Sequence, residues 1–588
     1  MNFHKIEHDQ SHFLNPLNSY AHWVEWALQG TSREIAKSPS LFHKIIVEFE
    51  RFSARAQIAK GVYAAAVGFF LLIVITPAIA GILVQLLTLP SLALSPAVAS
   101  RMQSAVAWSF IIGLSVSSLD VLAGIPLAWL IVRRRGNWTT ILDSLADIPF
   151  VIPTVALGFS ILEFWSSPSG ISSIFGTQTI VTSGMVLIML LHFAFSFPVI
   201  VRVMVGEFLN YRETYEVAAR TLGASPLTAV RTITIPILRS GVLAAFLLAL
   251  ARSLSETGAT IVVAGAFENG TVFIKNVRDA GLSAAVVTAS LVLIVSSLIV
   301  FAAIKVISPR LRIAPLKVWP DLERKLSSSS VVAIRNVGSL LVFLVFVLVP
   351  CLFIAFPAVE AVVAGTVGEA VAGIGPWRSF WSSMLLSYVV AILATLVNMV
   401  SGLPIAILIA RNRFGVRATR IVDALVDLPI VVPSLALGVS LSFFWGNMGA
   451  LPEFWVLVLA HTTITYSYFV RAMAAAIQSI APELEETAKT LGATPLHIFR
   501  KITLPLTKYS LLSGAILVFT RSVDETGATS AVSKTLKTAP VLLVDWIRGI
   551  AQVTPSERAL GVGLLVLTSF LALVLLRLIT LRQPEKRS

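Results

Sequence analysis

Residues 61–87 read GVYAAAVGFFLLIVITPAIAGILVQLL and carry no charge. A helix of roughly 20 apolar residues crosses a hydrocarbon core about 30 Å thick, so this run is long enough to span a bilayer. Comparable runs recur about twelve times, centred near residues 75, 118, 155, 192, 250, 295, 346, 396, 436, 465, 518 and 569. Inside lipid every backbone N–H and C=O must find its partner within the protein, which leaves the helix as the fold of each run. With 56% hydrophobic and 13% charged residues, the chain has too little polar surface to face water as a soluble protein of 588 residues. The expected class is an all-α membrane protein of about twelve transmembrane helices. The runs near 155 and 436 are broken by prolines.

The formal net charge of +14 does not by itself imply nucleic acid. The basic residues gather at Arg133, Arg134 and Arg135, at Arg310, Arg312, Lys317, Arg324 and Lys325, at Arg411, Arg413, Arg417 and Arg420, and from Arg582 to the end. With twelve spans and both termini inside, all these clusters fall on the cytoplasmic side, as the positive-inside rule expects. Lys275, Arg278, Lys534 and Lys537 fall outside and depart from the rule. The first 56 residues are polar and precede the first span, so no cleavable signal peptide is expected. Cys351 is the one cysteine, so no disulfide forms within the chain, and its apolar run predicts an inert buried thiol.

The chain repeats itself. Residues 216–236, EVAARTLGASPLTAVRTITIP, match residues 485–505, EETAKTLGATPLHIFRKITLP, at 12 of 21 positions and an offset of 269. The offset persists from Arg252-Ser253-Leu254-Ser255-Glu256-Thr257-Gly258 to Arg521-Ser522-Val523-Asp524-Glu525-Thr526-Gly527. Upstream, Asp147-Ile148-Pro149 with Pro153 faces Asp427-Leu428-Pro429 with Pro433 at an offset of 280. Eleven extra residues therefore sit in the first half, and the Ser/Gly-rich stretch 166–178, read as an external loop, is where they are expected. Each half holds about six spans. An even number makes the halves parallel, related by a pseudo-two-fold axis along the membrane normal. The expected layout is an N-terminal cytoplasmic extension 1–56, a first membrane domain 57–307, a polar cytoplasmic linker 308–335, a second domain 336–581 and a tail 582–588.

The repeated loop follows the fourth span of each half. Its composition predicts a short helix, a glycine turn with positive φ at Gly223 or Gly492, a second helical start at Ser225-Pro226, and a proline leading into the next span. Glu216-Val217-Ala218-Ala219…Gly223…Ile235-Pro236 and Glu485-Glu486-Thr487-Ala488…Gly492…Leu504-Pro505 resemble the EAA loop of permeases of ATP-binding-cassette importers. The first copy departs from the pattern at Val217, the second at Glu486 and Thr487. The resemblance implies a type I importer-like fold of two six-helix repeats. It further implies that Glu216, Ala218, Ala219, Gly223 and Pro236, with Glu485, Ala488, Gly492 and Pro505, form coupling helices docking on two separate ATPase subunits. The alternative is a helix-turn-helix that only closes the bundle. No GxxxxGK[ST] phosphate loop and no Gly-Lys pair occur, so the chain is not expected to be an enzyme, and ATP and Mg²⁺ belong to the partner.

Arg252 and Glu256 lie four apart in one run, as do Arg521 and Glu525, which puts each pair on one helix face. Ionisable groups within a membrane cost roughly 2.5–3.5 kcal/mol each on insertion scales and face the bundle interior. Two compatible readings follow: internal ion pairs, or helices lining a pathway and framing a gate. Thr257-Gly258 and Thr526-Gly527 allow close helix approach. Pro149, Pro153, Pro429 and Pro433 interrupt matching spans, either as packing kinks or as pointers to a pathway.

The Arg-Ser-x-x-Glu-Thr-Gly-Ala-Thr and Asp-x-Pro…Pro segments look most like the permease branch for molybdate, tungstate and sulfate. The fused architecture resembles the branch for ferric iron and thiamine. That family implies a separate extracytoplasmic binding protein, an inner-membrane location and no cofactor in this chain. A secondary transporter driven by an ion gradient also has twelve spans but leaves the paired loops unexplained. His4, His8, His12, His22 and His43 raise metal binding in the N-terminal extension, against the plainer reading of a solvated segment.

Overall fold

Every uncharged run becomes a helix in the computed structural model, which describes residues 56–88, 94–134, 136–307, 318–413, 415–449 and 451–581. The histidine-bearing extension, Arg135, Arg310, Arg312, Lys317 and the tail lie outside the described residues. No strand occurs among the described residues. The spans are α1 Lys60–Leu87, α2 Pro96–Arg133, α3 Asn137–Val151 with Thr154–Ser166, α4 Met185–Asn210, α5 Pro226–Ile237 with Arg239–Ser255 and α6 Ser283–Ile307. The second half gives α7 Ser329–Val363, α8 Trp377–Arg411, α9 Val416–Val431 with Ser434–Met448, α10 Glu453–Gln478, α11 Pro495–Val523 and α12 Pro555–Leu576. Eight are straight enough and apolar enough to cross a membrane as single helices, and three are bent pairs. α10 has the length but is less apolar, because His461, Thr462, Thr463, Thr465 and Ser467 line its buried face.

The expected breaks near 155 and 436 are sharp. α3 turns by 105° and α9 by 107°. Ile152 and Val432 leave helical geometry for extended backbone, and Pro153 and Pro433 follow in extended geometry. The residue before a proline is driven out of the α region by the pyrrolidine ring, so Ile152-Pro153 and Val432-Pro433 end one helix and begin the next. α5 is also bent, by 70° at Leu238, a break the apolar pattern did not announce. Stretch 166–178 contains a turn and the short helix Ser172–Phe175. α7 starts at Ser329, inside the segment read as linker, and that segment holds a further helix, Pro320–Leu326.

The described residues form two compact units, 56–64 with 480–506, and 65–479 with 507–581. In the larger unit the first span of each half packs on the other half. Ser160 on α3 donates to Pro350 O of α7 at 2.6 Å, and Ile354 N donates back to Ser160 Oγ at 2.8 Å. Ser440 on α9 does the same with α1, donating to Pro77 O at 2.9 Å and accepting from Ile82 N at 3.2 Å. Pro77 has no N–H to give, and Ile73 O four residues earlier accepts from Thr463 Oγ1 of α10 at 3.3 Å. Aromatic contacts fill the seam between α7 and the first half, with Phe346 stacked on Trp165 at 5.7 Å and Phe343 on Phe197 at 6.1 Å.

The smaller unit holds the second repeat loop. Helix Pro482–Thr490 ends at Leu491, Gly492 follows at φ +82°, and Thr494 Oγ1 accepts from His497 N at 3.3 Å to start the next helix. Glu485 is buried there and accepts from Thr503 Oγ1 at 3.5 Å.

Candidate functional site

The helix of α5 ends at Ser255 and that of α11 at Val523. After a short extended step the chain restarts as the helices Gly258–Val263 and Gly527–Val532. Each restart exposes helix N–H groups in an apolar setting, which need acceptors. Glu256 Oε1 accepts from Ala259 N and Glu525 Oε1 from Ala528 N, both at 2.9 Å. A carboxylate is favoured at this end by the helix dipole. Two histidines bridge the breaks. His192 of α4 places Nδ1 2.7 Å from Ser253 Oγ and Nε2 2.9 Å from Thr260 Oγ1. His461 of α10 meets Ser522 and Thr529 in the same way, at 2.8 Å each. Each imidazole thus ties the end of one helix to the start of the next.

The two breaks face each other. A Cβ added at Gly258 would lie 2.6 Å from Thr526 Oγ1, and one at Gly527 2.4 Å from Ser434 Oγ and 2.9 Å from Thr257 Oγ1. The bends of α3 and α9 close over the same point. Thr154 N donates to Asp524 Oδ1, and Ser434 Oγ donates to Ser255 O at 3.2 Å. Only about 10 Å³ remains between these groups, room for one water. Beside it opens a cavity of about 440 Å³, lined among others by Phe150, Arg202, Arg252, Tyr468, Arg521 and Asp524.

The two arginines are not equivalent. Arg521 Nη2 lies 2.7 Å from Glu525 Oε2, as the spacing predicts. The expected pair of Arg252 with Glu256 does not form. Arg252 instead stands over the ring of Phe195 at 3.8 Å and of Phe150 at 5.0 Å, and its Nε donates to Phe195 O at 3.1 Å. Glu525 makes the same contact with Ala528 N and still pairs with Arg521, so the difference lies in α4, which offers Arg252 the carbonyl and ring of Phe195.

Further from the breaks, Arg202 of α4 is held by Asp143 Oδ1 at 2.8 Å and by Asp147 on the first helix of α3. Arg471 of α10 repeats this with Asp423 at 2.5 Å and Asp427 at 2.7 Å. The first repeat loop is anchored similarly. Arg133, at the end of α2, pairs with Glu216 at 2.8 Å and with Glu213, and stands 4.5 Å over the Trp129 ring. Helix Thr214–Thr221 then ends, Gly223 sits at φ +94°, and Ser225 accepts from Thr228 N at 3.3 Å to start the helix at Pro226. No atom lies within 4 Å of a Cβ placed at either loop glycine, so the positive φ alone calls for glycine. Leu222 is 90% exposed at the tip and Leu491, its counterpart, 68%.

The structure therefore brings together Arg252, Glu256, Thr257, Arg521, Glu525 and Thr526 beside Pro153 and Pro433. Pro149 and Pro429 lie one turn earlier, buried in the last turns of the helices that lead into the bends. Glu216 and Glu485 turn inward in their own loops, while the tips stay exposed. Sequence reasoning missed the histidine bridges and the arginine clamps. Their signal was present: His192 and His461, and Arg202 and Arg471, are each separated by the repeat offset of 269.

A family model described as the inner membrane component of binding-protein-dependent transport systems matches residues 120–313 and again 402–587. The chain belongs to this family. Two copies of the family domain make it a fused permease with a multi-pass place in the inner membrane. Among its relatives, the sulfate transport system permease protein CysT of Salmonella typhimurium is 31% identical over 195 residues, 29% of this chain and 70% of the relative. The molybdenum transport system permease protein ModB of Escherichia coli is 34% identical over 162 residues, 25% of this chain and 70% of the relative. The molybdate/tungstate transport system permease protein WtpB of Pyrococcus abyssi is 30% identical over 160 residues, covering 27% and 63%. Permeases of this family are non-catalytic membrane components that act with ATPase and solute-binding partners. Among the described residues no cluster of metal-ligating side chains occurs.

Proposed function

We propose that this chain is the complete membrane pathway of an importer for a tetrahedral oxyanion of the molybdate, tungstate and sulfate class. Both termini and both repeat loops face the cytoplasm, and one ATPase subunit docks on each loop. A separate binding protein delivers the solute from the other side. The observation that carries the reading is the matched pair of loops, each with an acidic anchor turned inward, a glycine at positive φ and an exposed leucine at the tip. Such rigid contacts are how closure of two ATPases rocks two halves. The seam of Gly258, Gly527, Thr257 and Thr526 is the gate, closed in this arrangement.

The charges favour an anion as cargo. Both glutamates at the breaks are committed to helix N–H groups, and Glu525 also faces Arg521. Arg252 has no carboxylate within ion-pair distance among the described residues and lines the cavity. Ferric iron and thiamine, as cations, would meet that charge unfavourably. The test is uptake by proteoliposomes holding this chain, its ATPase and its binding protein, supplied in turn with molybdate, tungstate, sulfate, ferric iron and thiamine. ATP-dependent uptake of one of the three oxyanions is expected. Uptake of iron or thiamine alone would refute the substrate class. Uptake without ATPase that collapses with the proton gradient would refute the importer. The coupling loops are tested by Gly223→Asp with Gly492→Asp, expected to lose ATPase co-purification.

A further inference from the structure

The segment between the halves does more than join them. Helix Pro320–Leu326 lies against the first repeat loop, and its Glu323 is buried at that contact. Thr228 Oγ1 donates to Glu323 Oε2, and Arg231 pairs with Glu323 Oε1. Trp319 N donates to the same Oε1 at 3.4 Å. One turn later Ser327 Oγ accepts from Leu227 N at 3.1 Å and lies 3.5 Å from Ser225 Oγ. Leu227, Thr228 and Arg231 all belong to the lead-in of α5, immediately after the glycine turn. Only Ser327 and Ser328 separate the linker helix from α7. Bidentate use of a buried carboxylate by a hydroxyl and a guanidinium fixes both position and orientation.

We propose that the linker helix is a brace, with Glu323 as its positioning residue, that locks the first coupling loop to the first span of the second half. The inference rests on the coupling role of that loop. A push on the loop then moves α5 and α7 as one body. α7 is itself stitched to α3 of the first half through Ser160, so the brace closes a mechanical circuit from loop to gate. A flexible linker would let the loop move while α7 lagged, and ATP would be hydrolysed without transport. The brace is charge-assisted at neutral pH. The hydrogen bond from Thr228, with those from Trp319 N and Arg231, holds the Glu323 carboxyl below the usual carboxylate range against the effect of its burial.

The experiment measures ATP hydrolysed per molybdate taken up, in proteoliposomes of the full complex. Glu323→Ala is expected to raise this ratio at least three-fold while the ATPase still co-purifies. Glu323→Gln keeps one acceptor oxygen, for Thr228 Oγ1 or for Trp319 N, and loses the ion pair, and should fall between. A ratio equal to wild type in Glu323→Ala overturns the brace. If that variant fails to assemble, Glu323→Gln and Ser327→Ala decide, and unchanged ratios in both overturn it. Failure of the wild type to take up molybdate, sulfate or tungstate sinks the oxyanion reading instead, and the ratio is then taken with the solute the binding protein delivers. Retained ATPase binding and transport in the Gly223→Asp, Gly492→Asp variant sinks the coupling reading separately.

Discussion

Replacing Gly258 by alanine tests whether the seam between the halves is the gate. The new methyl carbon would stand 2.6, 2.8 and 3.0 Å from Oγ1, Cβ and Cγ2 of Thr526. Carbon atoms pack favourably at about 3.5–4.0 Å, so the overlap approaches an ångström. Thr526 is β-branched with a stiff χ1, and its Cβ is fixed to the backbone, so rotation cannot clear the clash. Overpacking of this kind costs about 1–3 kcal/mol. Here the cost falls on the arrangement in which the breaks touch, and separating the halves relieves it. A shift of that size changes the closed-to-open ratio by about 5- to 150-fold. The assay is leak of preloaded molybdate from proteoliposomes without ATP, with basal ATPase activity as a second readout. Gly258→Ala and Gly527→Ala should each raise the leak at least five-fold. Gly68→Ala, with nothing within 4 Å of the added methyl, should leave it unchanged. An assembled Gly258→Ala complex that is less stable yet leaks like wild type would refute the gate and leave the seam a packing contact.

Three further outcomes follow from particular residues. Asp120, buried on α2, accepts from Ser196 through one oxygen and leaves the other without a partner; its counterpart Asn398 donates to Thr465 Oγ1 at 2.8 Å and also leaves its Oδ1 unpartnered, but carries no charge to bury. Asp120→Asn should therefore keep transport and raise the melting temperature in detergent. His192→Ala strands the hydroxyl of Ser253 and leaves that of Thr260 only its bond to Glu256 O, and an unsatisfied buried group costs about 1–3 kcal/mol, so a lower melting temperature and a leaky seam are expected from the same preparations. Glu323 titrates below the ordinary carboxylate range, so its stabilisation is complete above the unfolded value and is lost only as pH falls through the lower folded one. The ATP-to-molybdate ratio should accordingly stay flat between pH 6 and 8, and a rise within that window would contradict the contacts drawn at Glu323.

The helices and the repeat were legible because apolar length and self-similarity are one-dimensional signals. The loops were legible too: Gly223 and Ser225-Pro226 encode their turns locally, and both turns form as read. The pairing of Arg252 was not. The i,i+4 spacing is the same for both pairs, and α11 ends before Glu525 just as α5 ends before Glu256, so what separates them is the tertiary partner that Arg252 finds on α4. Phe195 and its carbonyl come from α4, far away in sequence. The bend at Leu238 and the docking of Glu323 depend likewise on tertiary partners with no periodic signature. His192 escaped notice for a different reason: a lone polar residue in an apolar helix reads as a core histidine until its repeat partner is aligned.

Fusion of the halves gives the departures from symmetry a physical meaning. Two identical subunits would place the same residue on both sides of the axis. Here Ser255 faces Ser434, while its counterpart Asp524 accepts from Thr154 N. Arg521 is matched by Glu525 while Arg252 is not matched at all. A dianion crossing a seam between equal ion pairs would meet no net attraction. Under the proposed reading, the guanidinium of Arg252, held by Phe195 O and two ring faces but by no carboxylate, would supply it, and Asp524, which lines the same cavity, would limit how tightly the anion is held. Attraction strong enough to draw the solute in and weak enough to release it is what conduction requires. Restoring symmetry with Asp524→Ser would remove that counterweight. The expected result is a lower KM for molybdate-loaded binding protein with a lower maximal rate, because release toward the cytoplasm becomes the slow step.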